Sequence, residues 1–100
     1  MYVEPHAIER ARELWGCQDH FDVYREFDKS SRIDKSMVWE LTQRQPTPKW
    51  QRNYTEEFRL SQDCRGIFVV RVSWPSKHRV LKTVLRLSES QIEVLVKPLG

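Results

Sequence analysis

The chain has 100 residues, 39% hydrophobic and 31% charged, with only three glycines and five prolines, the composition of an ordinary globular protein without a low-complexity segment, so one domain, 1–100, able to bury a core is expected. No apolar run approaches membrane-spanning length and no signal-peptide pattern opens the sequence, so a cytoplasmic protein without membrane contact is expected. The net charge of +3 hides an asymmetry: residues 1–48 hold seven Lys and Arg against nine Asp and Glu, whereas residues 49–100 hold ten against five, a balance that suits a polyanionic partner.

The first predicted element is a helix in "PHAIERARELWG". Pro5 suits its first turn and Gly16 its left-handed exit. At about 100° per residue, Ala7, Ile8, Ala11, Leu14 and Trp15 share an apolar arc, while His6, Glu9, Arg10 and Glu13 share the opposite one. "DHFDVYREFDK" repeats the logic: Asp19 can cap, and Phe21, Val23, Tyr24 and Phe27 share one side. "SSRIDKS" reads as a connector. "MVWELTQ" (Met37 to Gln43) fits either period and is assigned to a strand. Pro46 and Pro48 then interrupt regular structure.

From Tyr54 the period becomes two. Phe58 and Leu60 alternate with charged neighbours; Phe68, Val70, Val72 and Trp74 alternate with Ile67, Val69, Arg71 and Ser73; Leu81, Thr83, Leu85 and Leu87 alternate with Lys82, Val84 and Arg86. "SESQ" reads as a turn before a last strand through Ile92, Val94 and Val96. "VLKTVLRL" has helical spacing too, but its β-branched content favours sheet. Short connections imply antiparallel pairing. The expected fold is α+β: two N-terminal helices packed on one face of a four- or five-stranded antiparallel β-meander. Trp15, Phe21, Phe27, Phe68, Val70, Trp74, Leu81, Leu85 and Val94 would fill the core. The other face would carry Arg59, Arg71, Lys82, Arg86 and Lys97, with Ile67, Val69, Val84 and Leu95 scattered among them.

Two places carry residues suited to chemistry. Histidine transfers protons in either direction near neutrality, and on a helix His6 meets Glu9 and Arg10 three and four residues on. A carboxylate can orient the imidazole while a guanidinium holds an anion, although a solvated helix face is the commoner origin of such a pattern. In "SWPSKHRVLK", Lys77, His78 and Arg79 crowd a turn and Lys82 follows. That suits phosphate contact, with Trp50 or Tyr54 available to stack a base, or equally a solvated hairpin. A metal-independent ribonuclease needs a base, an acid and cations around the phosphorane; His6, His78, Arg79 and Lys82 are candidates. Cys17 and His20 have ligand-pair spacing without a second compact pair, so neither a metal nor another cofactor is expected. Cys17 and Cys64 are expected as reduced thiols. With glycine only at positions 16, 66 and 100, no phosphate loop exists.

"HAIERARE" (His6 to Glu13) resembles the H-A-x-E-R helix that opens small bacterial and phage proteins related to the BrnT and RelE-like toxin superfamily. Residues 67–100, from "IFVVRVSWPSKHRV" onward, are similar to the terminal sheet of RelE-type toxins. The resemblance implies a metal-independent endoribonuclease neutralised by an antitoxin laid across a basic sheet. His6, Glu9 and Arg10 would match the helix motif and Arg79 the arginine of the strand motif. Two functions therefore stay open. One is an RNA-directed protein with His6, Glu9 and Arg79 catalytic, and Arg10, Arg71, Lys77, His78, Lys82 and Arg86 on the nucleic acid. The other is a non-catalytic protein- or nucleic-acid-binding module, self-associating through the apolar residues of the outer sheet face. The oligomeric state does not follow from the sequence.

Overall fold

A computed structural model describes residues 1–43 and 53–96. They form an α+β fold of four helices and a five-stranded mixed sheet. In chain order the elements are β1 (Tyr2–Val3), α1 (Pro5–Trp15), α2 (His20–Asp28), β2 (Ser31–Ile33), α3 (Lys35–Thr42), β3 (Tyr54–Leu60), β4 (Gly66–Ser73), β5 (Arg79–Arg86) and α4 (Glu89–Val96).

Both N-terminal helices start and stop where local chemistry requires. Pro5 opens α1, and Gly16 closes it at φ 70°, its N–H donating to the Arg12 carbonyl at 2.9 Å; a residue with a Cβ is strained there. Asp19 caps α2 by accepting from the Asp22 N–H. Ala7 and Ala11 are fully buried, small enough to let α1 lie close against the sheet.

The sheet order is β1-β5-β4-β3-β2. Strands β2 to β5 pair antiparallel, while β1 joins β5 in parallel, Tyr2 beside Val80 and Val3 beside Leu81. A bulge sits opposite Val69 and Val70, which pair with Thr83 and Leu81 and leave Lys82 as the extra residue. An extra residue reverses the alternation of side chains along a strand. Leu81 and Val84 consequently join one core, and Leu85 packs on the other.

Helices cover both faces. Under α1 and α2 lie Phe68, Val70, Leu81 and Val84, with Val23, Phe27 and Cys17 closing over them. The Phe68 ring stacks on Trp15 and meets Phe27 edge-on, both with centroids 5.3 Å apart. On the opposite face Phe58, Ile67 and Val69 pack with Val38 of α3 and Leu87, and Ile92 and Leu95 of α4 lean on them.

Several expectations are corrected. Met37–Thr42 belongs to a helix, not a strand: Asp34 caps it through the Ser36 N–H and Oγ. The last predicted strand is also a helix, α4. Four strands, β2 to β5, are antiparallel neighbours in chain order, with α3 between β2 and β3, and β1 makes the sheet mixed. "SSRIDKS" contains a strand, β2, as well as the α3 cap. The supposed outer face is no open basic surface, because Ile67 and Val69 are buried under α3 and α4, and Val84 under α1 and α2. Phe21, Trp74 and Val94, expected inside, are 60%, 45% and 64% exposed. Trp50, Pro46, Pro48 and Lys97 lie outside the described residues.

Candidate functional site

Strand β1 covers β5 only at Val80 and Leu81, with Glu4 N–H adding a bond to the Leu81 carbonyl at 3.1 Å. Beyond that point the outer edge of β5 has no strand partner among the described residues. A cleft of about 450 Å³ wraps this edge. From the α1 side it receives His6 and Arg10, one helical turn apart. From β5 it receives Thr83, Val84, Leu85 and Arg86, and from the α3/α4 side Thr42 and Gln91.

The wall is cationic or neutral throughout, with no carboxylate among its lining residues. Arg10 keeps a loose, exposed contact with Glu13 at 3.4 Å, a kind of pair worth little in water. Arg86 is exposed and makes no ion pair among the described residues. Gln91 is already engaged: its Nε2 donates to the Leu41 carbonyl at 2.7 Å and its Oε1 accepts from the Ser88 N–H at 2.8 Å. It therefore fixes the cleft floor by tying α4 to α3. The Thr42 hydroxyl donates to the Val38 carbonyl and retains lone pairs. A guanidinium pair, an imidazole and two hydroxyls around a concave edge are polar groups of the kind that complement an anion.

The structure separates the residues singled out from the sequence. His6, Arg10 and Arg86 meet in the cleft. Glu9 does not; it lines a second hollow between α1 and α2, with Pro5, Ile8, Arg12, Gln18, Asp19 and His20. Lys82, on the bulge, is bound by Glu4 at 2.6 Å. Arg79 grips Glu57, which also holds Arg32 at 3.4 Å, so this half-exposed guanidinium shares one carboxylate with a second arginine. Arg71 lies over the Tyr54 ring, 4.0 Å from its centroid. Lys77 and His78 are exposed in the β4–β5 turn. Thr42, Thr83 and Gln91 went unmarked in the sequence; only Gln91 carries a local signal, the S-x-x-Q of a helix start.

Burial pushes the Cys17 thiol up, helped by the charges of Glu26, Asp22 and Asp19, which keeps it protonated and unreactive. Cys17 and Cys64 are not joined to each other. Among the described residues no three His, Cys, Asp or Glu side chains gather as a metal site, and no helix is long and apolar enough to cross a membrane. Comparison with protein-family models, with curated proteins and with solved structures gives no match.

Proposed function

We propose that the chain is an RNA-directed protein that seats phosphates along the free edge of β5. The observation that carries this is the cleft: Arg10, Arg86 and His6 converge on it without a facing carboxylate. Two of the three residues in the H-A-x-E-R resemblance, His6 and Arg10, are among its lining, which agrees with the RelE/BrnT-like reading of the sequence. Its third member, Glu9, lines another hollow and has no role here. Nor do Arg79 and Lys82, which are held in ion pairs with Glu57 and Glu4.

The same site has the parts for metal-independent cleavage. The 2′-oxygen of a bound ribose would attack the adjacent phosphorus as neutral His6 takes its proton. The bond from phosphorus to the 5′-oxygen then breaks and that oxygen takes a proton from water. The products are a 2′,3′-cyclic phosphate and a 5′-hydroxyl. Arg10 and Arg86 would hold the charge that builds on the phosphorane.

Incubating purified protein with single-stranded RNA, with and without EDTA, tests this step. Cyclic-phosphate products that survive EDTA and disappear in His6→Ala are expected, a loss of at least about 100-fold for removal of a general base. RNA that stays bound but intact makes the chain a binding protein without catalysis. Failure of RNA to bind overturns the whole reading.

A further inference from the structure

The turn between β4 and β5 carries a second feature that the cleft does not use. Trp74 leaves 45% of its surface exposed, yet it is held firmly. Its main-chain N–H donates to the Asn53 carbonyl at 3.0 Å, and its indole Nε1 donates to Thr55 Oγ1 at 2.9 Å. The turn closes through Ser73 N–H to the His78 carbonyl and Lys77 N–H to the Ser73 carbonyl, at 2.9 and 2.7 Å. Lys77 and His78 are exposed beside it, and "SWPSKH" contains no acid. An exposed indole with its N–H satisfied from within the protein has apolar ring surface left to offer a ligand. Cations on the same short turn complement a phosphodiester chain.

We infer that Trp74 is a stacking platform for one unpaired base of single-stranded RNA, with Lys77 and His78 holding the flanking phosphates. This rests on the RNA reading above and specifies its substrate as single-stranded. Arg79 follows the turn and Arg86 lines the cleft, seven residues apart on one strand, or roughly 23 Å at about 3.3 Å per residue. Such a span is compatible with single-strand sites of about 4–16 nucleotides. Because β1 covers this edge at Val80 and Leu81, an RNA strand that reaches both places passes over β1, with a base on the indole and phosphates in the cleft beyond it. Duplex RNA, whose bases are already stacked, offers Trp74 nothing.

The test is fluorescence anisotropy on the full chain with a labelled 12-nucleotide oligouridylate and an abasic phosphodiester chain of equal length. Wild-type protein should prefer the oligouridylate, and Trp74→Ala should weaken it on the order of tenfold while leaving the abasic chain unchanged. Trp74→Phe should keep most of the preference, and Lys77→Gln should lower affinity for both probes alike. Equal wild-type affinity for the two probes overturns the inference, and that comparison needs no variant that might misfold. So does a Trp74→Ala protein that binds and melts like wild type. In either case the cleft stands if Arg10→Ala still weakens binding. No binding of any RNA removes the RNA reading and this inference together.

Discussion

Asp63 shows how much one exposed side chain can organise. Its Oδ2 accepts from the Trp15 indole N–H at 2.9 Å, while Oδ1 accepts from Ser61 Oγ at 2.7 Å and the Arg65 N–H at 3.0 Å. Partial burial pulls its carboxyl up, but these hydrogen bonds and the Arg65 charge outweigh that and hold it below the ordinary carboxylate value. A carboxyl lowered in the folded state stabilises the protein above its unfolded value of about 4 and loses that contribution as pH falls through the folded one. Urea midpoints of wild type and Asp63→Asn should therefore differ most at pH 7 and converge as pH drops below about 4. A gap that does not change with pH would deny Asp63 this role. Next to it, Gly66 is required by close approach: a Cβ there would lie 3.0 Å from two Trp15 ring carbons and 3.1 Å from Leu14. None of this tertiary geometry was legible in the sequence, and apolar identity alone misplaced three residues. Phe21 lies across the helix from the buried Val23 and Phe27, and Trp74 and Val94 face outward.

At the scale of elements, α1, α2 and the three long strands were legible because their apolar periods are unambiguous and their ends carry caps and turns. The two helices expected as strands carry start signals of their own. Asp34 caps α3. Ser88 and Gln91 form a reciprocal capping box, Ser88 N–H to Gln91 Oε1 at 2.8 Å and Gln91 N–H to Ser88 Oγ at 3.3 Å; this is the S-x-x-Q pattern of a helix start. The β-branched residues of "IEVLV" outweighed it in a reading by propensity, although tertiary packing routinely overrides that preference. The bulge at Lys82 had no sequence mark, and it exchanged the faces of half of β5. Ser88→Ala should cost about 1 kcal/mol in urea denaturation, with helical ellipticity falling as α4 frays, whereas Ser88→Asp should be tolerated. Indifference to both would mean that packing on Leu87 and Leu85, not the cap, holds α4.

For the whole molecule, helices on both faces change what the positive charge means. A two-layer fold would have displayed a broad basic sheet. Here Arg59 bonds Ser30 and lies over Phe27, and Arg79 and Lys82 are paired with glutamates. Other cations, among them Arg25, Lys29, Arg32, Lys35 and Arg65, stay exposed elsewhere on the surface; those near β5 are Arg10 and Arg86 with His6 at its free edge, and Lys77 with His78 at the turn before it. The sequence showed which half was basic but not which charges folding would neutralise, since ion pairs such as Lys82–Glu4 join residues 78 apart.

The salt dependence of RNA affinity tests the central claim, that the cleft on β5 holds phosphates, most directly. The logarithm of affinity for a single-stranded RNA should fall linearly with the logarithm of salt concentration. The slope should become shallower by about 0.7 for each phosphate contact removed by Arg10→Ala or Arg86→Ala. A slope unchanged in both variants, or RNA affinity absent at low salt, would contradict it.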